Sequence, residues 1–329
     1  MAILTELGAD QIQAVCASFG VEVRSFDGVL AGSVNTNYRV VAEGGERFFL
    51  RVYEEQDAAG AARETELVSA LAGLGVPTPP PLPRADGGGH VAIVVGKPAA
   101  LYSFVAGEIR YQSSVSTADV HAVDRALAAV HLAGRELDLS RGLPRASRFG
   151  PDAIRARLRA IAATPAPDHA HEQEIRVVCA RIERSLDELL RASSPPPDLP
   201  LIHGDLFRDN VLFGITGVSL LDFESASTGL ASFDLAVTAL AWCFGDHLDE
   251  RLLSCLGDGY RAVRALAPHE AADLPRAARL ACLRFATTRL TDYELRPRGV
   301  GVYKDFRRWL ARLDAIEQMG DGLPALLAR

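Results

Sequence analysis

The chain has 329 residues, 48% of them apolar, so it is long and apolar enough for two packed lobes and is not a disordered or low-complexity polypeptide. Lys and Arg number 35 against 42 Asp and Glu, a net charge of −7, which lacks the basic footprint of a nucleic-acid binder. The longest apolar stretch, VAIVVGKPAALYSFVAG, is interrupted by Lys97 and Pro98 and is too short to span a membrane.

In chain order, residues 9–19 place Ile12, Val15, Cys16 and Phe19 at helical spacing. SFDGVLAG, NTNYRVVAE and ERFFLRVYEE then read as strands, the last two joined across Gly44-Gly45, a hairpin signal. Residues 60–74 read as a helix stopped by Gly75 and Pro77. HVAIVV and PAALYSFV read as two further strands around a Gly-Lys turn. From Gly107 the pattern turns helical. A helix is predicted over 116–133, with Ser116 as its cap and Asp119 suited to its positive end. Others are predicted over 171–192, with Ile175, Val178, Ile182, Leu186 and Leu189 on one face, and over 248–266 and 275–293. TPAPDH and SSPPPDLP are loops by composition. The expected organisation is α+β, with a strand-rich lobe at 1–104 and a helical lobe at 105–329.

Residues 200–224, PLIHGDLFRDNVLFGITGVSLLDFE, carry the chemistry. The runs VLF and VSLL flank a Gly-containing turn, so one hairpin presents Asp205, Asn210 and Asp222 at a single edge. Two carboxylates and an amide are hard oxygen donors suited to Mg²⁺. A carboxylate beyond the metal can orient a hydroxyl and accept its proton. D-x-x-x-x-N followed by an Asp on the next strand matches the protein-kinase pattern, with HGD in place of HRD and DFE in place of DFG.

These motifs resemble the aminoglycoside phosphotransferase and choline kinase superfamily. Within it, HGDLFRDNVLF, DLAVTALAWCF, GSVNTNYRV and RLTDYELRPRG are most similar to type II homoserine kinases. The resemblance implies a bilobal protein-kinase-like fold and transfer of the ATP γ-phosphoryl group to an alcohol, with L-homoserine the expected acceptor. Choline, a hydroxylated amino acid, a methylthio-sugar or an aminoglycoside are the alternative acceptors, and an ATP-binding pseudokinase scaffold is the non-enzymatic alternative. By the same resemblance Asp205 is the catalytic, hydroxyl-orienting group, and Asn210 and Asp222 hold Mg²⁺. His203 is expected to stabilise its loop, and Asp234 to buttress it.

Arg51 stands where the superfamily usually has a phosphate-gripping Lys, and Glu64 at the helix position that pairs with it. GSVNTNY replaces the Gly-rich loop, with Gly32, Ser33, Asn35 and Asn37 as candidate donors to phosphate. Adenine is expected against the backbone of Ser103–Val105. An amino-acid acceptor needs a cation for its carboxylate and an anion for its ammonium group. Arg208, Arg289, Asp292 and Glu224 are candidates, with Trp242 as a pocket wall. The partner is thus a small-molecule alcohol, with no nucleic acid or membrane partner, and the chain a monomer or homodimer. The five cysteines, odd in number and without C-x-x-C spacing, argue against a disulfide framework. With no secretory signal in MAILTELGAD, the expected location is cytoplasmic.

Overall fold

A computed structural model describes residues 3–30, 34–137, 147, 149–164, 169–191, 199–295, 303–320 and 322–327. Helix α1 (Ala9–Ala17) precedes strands β1 (Val23–Val29), β2 (Thr36–Ala42) and β3 (Arg47–Val52), then α2 (Ala58–Gly73), β4 (Ala92–Val94) and β5 (Lys97–Ser103). The strands form one antiparallel sheet in the order β1-β2-β3-β5-β4. Gly45, at φ 90°, makes the β2–β3 turn where the Gly-Gly pair predicted it. The β4–β5 turn is one residue earlier than predicted. Val95 and Gly96 occupy it at φ 46° and 78°, the paired left-handed geometry of a tight hairpin, and Lys97 already pairs with Val94. α1 closes one apolar core against the sheet, where Ile12, Val15 and Cys16 meet Val40, Leu50 and Leu101. Asp57 caps α2 through the Gly60 amide at 2.7 Å.

The remainder is mostly helical: α3 (Thr117–Glu136), α4 (Pro151–Ala162) and α5 (His169–Arg191), the short strands β6 (Leu201–Ile202), β7 (Val211–Gly214), β8 (Gly217–Leu220) and β9 (Ser227–Thr228), then α6 (Ala231–Trp242), α7 (Glu250–Arg261), α8 (Pro268–Arg289), α9 (Arg307–Met319) and α10 (Gly322–Leu327). The predicted Ser116 cap is present, reciprocated by Asp119 as a capping box. α8 begins well before the predicted residue 275. Glu270 caps its first turn through the Ala267 amide at 2.8 Å, and Pro275 sits inside the helix. It ends in a π-helical turn, Leu290–Glu294. Much of the loop TPAPDH, and of SSPPPDLP, lies outside the described residues.

The larger core gathers these helices around α6, whose residues are buried on nearly every side. The five cysteines are unpaired. Among the described residues no helix is long and apolar enough to cross a membrane.

Candidate active site

His203, Gly204 and Asp205 follow β6 and lead into the β7–β8 hairpin. Gly204 adopts φ +79°, a left-handed conformation that favours glycine, and a Cβ there would meet the Ser225 carbonyl at 3.0 Å. Buried Asp234, on α6, accepts the backbone N–H groups of His203 and Gly204, each at 2.7 Å. His131 of α3 faces the Asp234 carboxylate through Nε2 at 3.0 Å, and its Nδ1 lies 2.6 Å from the Tyr260 hydroxyl. Arg264 donates to that hydroxyl at 2.6 Å and pairs with Glu270 at 2.5 Å. A buried polar chain thus runs from the loop backbone to α8, with each member partnered. Burial alone would raise the Asp234 carboxyl, but His131 and the backbone donors hold it below the usual carboxylate range. His203 supports the loop from its other side, its Nε2 lying 3.0 Å from the Leu221 carbonyl.

On this frame Asn210 donates from Nδ2 to the Asp205 carbonyl at 2.8 Å, which leaves its amide oxygen for another partner. Asp222 follows β8 at φ +60°, an uncommon conformation for a residue with a side chain, and accepts the Glu224 amide at 3.4 Å. Burial pushes the Asp205 carboxyl up to about 6, with Arg284 and His203 opposing.

Two cavities meet at Asp222. The first, about 390 Å³, runs under the sheet past Arg51, Glu64, Tyr102 and Ser103–Val105. Arg51 lies 3.5 Å from Glu64 and 3.8 Å from Asp222. Burial works against the Arg51 charge, but the carboxylates of Asp222 and Glu64 outweigh it and hold the guanidinium above its ordinary pKa. Burial pushes Glu64 up to about 7 despite Arg51 beside it. Phe49, Val68, Leu212 and Phe223 supply apolar walls and Arg51 a cation, a lining suited to a flat ring that carries an anionic group.

The second cavity, about 510 Å³, is more polar and contains Asp205, Asn210, Glu224, Arg289 and Asp292 from the sequence candidates. Arg157, Arg284 and Lys304 also line it, and the sequence reading does not name them. A signal for Arg284 exists: Arg284, Thr288 and Asp292 recur every fourth residue, the spacing of one helical face. Four sequence candidates do not reach either cavity: Arg208, Trp242, Asn35 and Asn37, the last buried and donating to the Asn35 carbonyl at 3.0 Å. Arg208 turns back from the loop and donates to Gln112 at 2.6 Å and to the Ala241 carbonyl. Trp242 is fully buried, donating to the Leu206 carbonyl at 3.0 Å, and so belongs to the core and is no pocket wall. Asn35 accepts the Glu54 amide at 3.2 Å and ties the β2 entry to β3. Its neighbours Gly32 and Ser33 lie outside the described residues.

The candidate donors for a metal here are Asn210 and Asp222, each able to offer an oxygen. Among the described residues no group of three or more His, Cys, Asp or Glu is placed to hold a metal. Asp222 at the junction of the two cavities and Asn210 in the second fit a cation that completes its shell with phosphate and water, as Mg²⁺ does.

The model of the phosphotransferase enzyme family matches residues 26–266. A homoserine kinase of Gluconacetobacter diazotrophicus is 33% identical over 324 residues, 95% of this chain and 96% of that one. A microcompartment-associated aminopropanol kinase superposes with a TM-score of 0.70 at 19% identity, over 98% of this chain and 99% of that one. An amicoumacin kinase in complex with AMP-PNP and Ca²⁺ does so at 0.67 and 15%, over 96% and 94%. The α+β bilobal kinase-like fold expected from the sequence is therefore the observed one. The family match runs from β1 through the β7–β8 hairpin and past α7, so the chain belongs to the phosphotransferase enzyme family and is an ATP-dependent kinase acting on an alcohol.

Proposed function

We propose that the protein transfers the γ-phosphoryl group of MgATP to the hydroxyl of L-homoserine, giving O-phospho-L-homoserine for threonine synthesis in the cytoplasm. The observation that carries the substrate assignment is the near full-length similarity to a curated homoserine kinase, with both chains covered almost end to end. The mixed charge of the acceptor cavity supports it, because a zwitterion needs both signs within reach.

In this reading residues 1–104 form the nucleotide lobe and 105–329 the acceptor lobe. Adenine lies along Ser103–Val105, and Arg51, steadied by Glu64, grips the phosphates. Asn210 and Asp222 hold Mg²⁺, which when bound neutralises charge building on the transferred group. Asp205 orients the acceptor hydroxyl and takes its proton as the O–P bond forms. Asp234, through the His203 and Gly204 amides, keeps Asp205 in place. Catalysis is chiefly positioning and electrostatics, since phosphoryl transfer asks little covalent chemistry of the protein.

The test is ADP release from MgATP with L-homoserine beside choline, hydroxylysine, methylthioribose and kanamycin. Saturable turnover with homoserine alone is expected. Preference for another acceptor overturns the substrate, and nucleotide binding without turnover of any acceptor favours the scaffold.

A further inference from the structure

Four cationic side chains line the acceptor cavity: Arg157, Arg284, Arg289 and Lys304. Arg157 is engaged by Asp292 at 2.9 Å and by the Thr291 hydroxyl. Lys304 faces Asp209 at 3.4 Å. Arg284 donates to the Gly204 carbonyl and lies against the rings of Phe149 and Phe285, at 4.1 and 4.4 Å from their centroids. Its place is beside the loop that carries Asp205.

Arg289 differs from the other three. Its Nη1 donates to the Asp305 carbonyl at 2.9 Å, and its guanidinium sits 5.6 Å from the Trp309 ring centroid. Among the described residues no carboxylate forms an ion pair with it. A guanidinium has five N–H donors in a planar fork, so one carbonyl leaves most of the fork unused. The Arg289 side chain lines the acceptor cavity. Burial, the largest influence, lowers its pKa to about 10 against the pull of Asp305 and Asp205, so at neutral pH it remains a cation that those carboxylates favour without directly pairing it. Such a group gains strongly from an arriving anion, and a carboxylate matches the fork with two parallel hydrogen bonds. A polycationic acceptor would instead be repelled by it.

We infer that Arg289 is the specificity-determining anchor for the acceptor's carboxylate, holding it while the hydroxyl faces Asp205, an assignment that rests on the amino-acid-alcohol reading above. The cavity's carboxylates, Glu224 among them and Asp292 shared with Arg157, then give the ammonium group acidic neighbours.

The experiment measures kcat and KM for L-homoserine and L-homoserinamide, whose neutral amide replaces the carboxylate, in the wild type and in Arg289→Gln and Arg289→Lys. Wild type should prefer homoserine. Arg289→Gln should lower kcat/KM for homoserine roughly 30–100-fold, mainly through KM, the size of one lost charge-assisted interaction. The amide should change by no more than about threefold on the same scale, so the preference collapses. Arg289→Lys, which keeps the charge without the fork, should retain part of the preference and carries the test if the Gln variant fails to fold. Equal losses for both acceptors, or an intact preference in both variants, overturn the anchor and assign Arg289 to the phosphoryl group or to packing. A wild type that turns over no homoserine overturns the substrate reading itself, and the anchor with it.

Discussion

In the proposed role Asp205 is set between two requirements. To accept a proton it must be ionised, yet its partly buried position disfavours the ion and holds the carboxyl at about 6. In the free enzyme kcat/KM should therefore fall about tenfold per pH unit below about 6. Asp205→Asn should lower kcat by roughly 10²–10⁴ and remove that limb. The same shift has a stability consequence. The folded pKa lies above the ordinary 3.8, so the penalty is absent below 3.8 and complete above about 6. Asp205→Asn should be more stable than wild type at pH 8 and equal to it near pH 4, read by thermal unfolding. A less stable variant at pH 8 would mean that the carboxylate is compensated in the fold. Asp205, Asn210 and Asp222 were legible in the sequence because a short loop and a hairpin bring them together by spacing alone. Arg208 was not, because sequence gives a position on the loop and no direction. Phe207 and Asp209 beside it do line the acceptor cavity, while Arg208 turns inward to Gln112 and α6.

Elements were legible where burial is one-sided. α3 and α5 show a stripe of apolar residues, and α3 shows its cap as well. α6 shows no stripe, because ASFDLAVTALAW is buried all round and its only charge, Asp234, is spent on the loop. A helix without a polar face cannot be placed by periodicity. α9 is a different case: Trp309, Leu313 and Ile316 sit at helical spacing, so its signal was present in the sequence. The contact between α3 and α7 depends on a feature that no pattern shows. A Cβ on Gly259 would stand 2.2 Å from the His121 carbonyl oxygen, so only glycine allows the two helices to approach this closely. The next residue, Tyr260, meets His131, and His131 meets Asp234. Gly259→Ala should therefore cost about 1–3 kcal/mol in urea unfolding, as overpacking does. It should also lower kcat by moving the Tyr260–His131 contact. Unchanged kcat in a destabilised variant would uncouple this interface from the loop.

At the scale of the whole molecule the charges do not favour the substrate. The chain carries −7 and the nucleotide is an anion, so attraction must come from local groups and not from the overall field. Those groups converge at Asp222, where the two cavities meet and where Arg51 approaches to 3.8 Å. A nucleotide–metal complex that binds only the folded state stabilises it by mass action, by about 2.7 kcal/mol at a hundred times its Kd. MgATP should raise the unfolding temperature of the wild type, and adding EDTA should remove most of that rise. Asp222→Ala should abolish the Mg²⁺-dependent part if Asp222 holds the cation as proposed, and it leaves Arg51 paired with Glu64 alone. A rise of equal size in Asp222→Ala, still sensitive to EDTA, would show that the cation sits elsewhere. A rise insensitive to EDTA in the wild type would instead place the binding energy in the adenine cleft and Arg51.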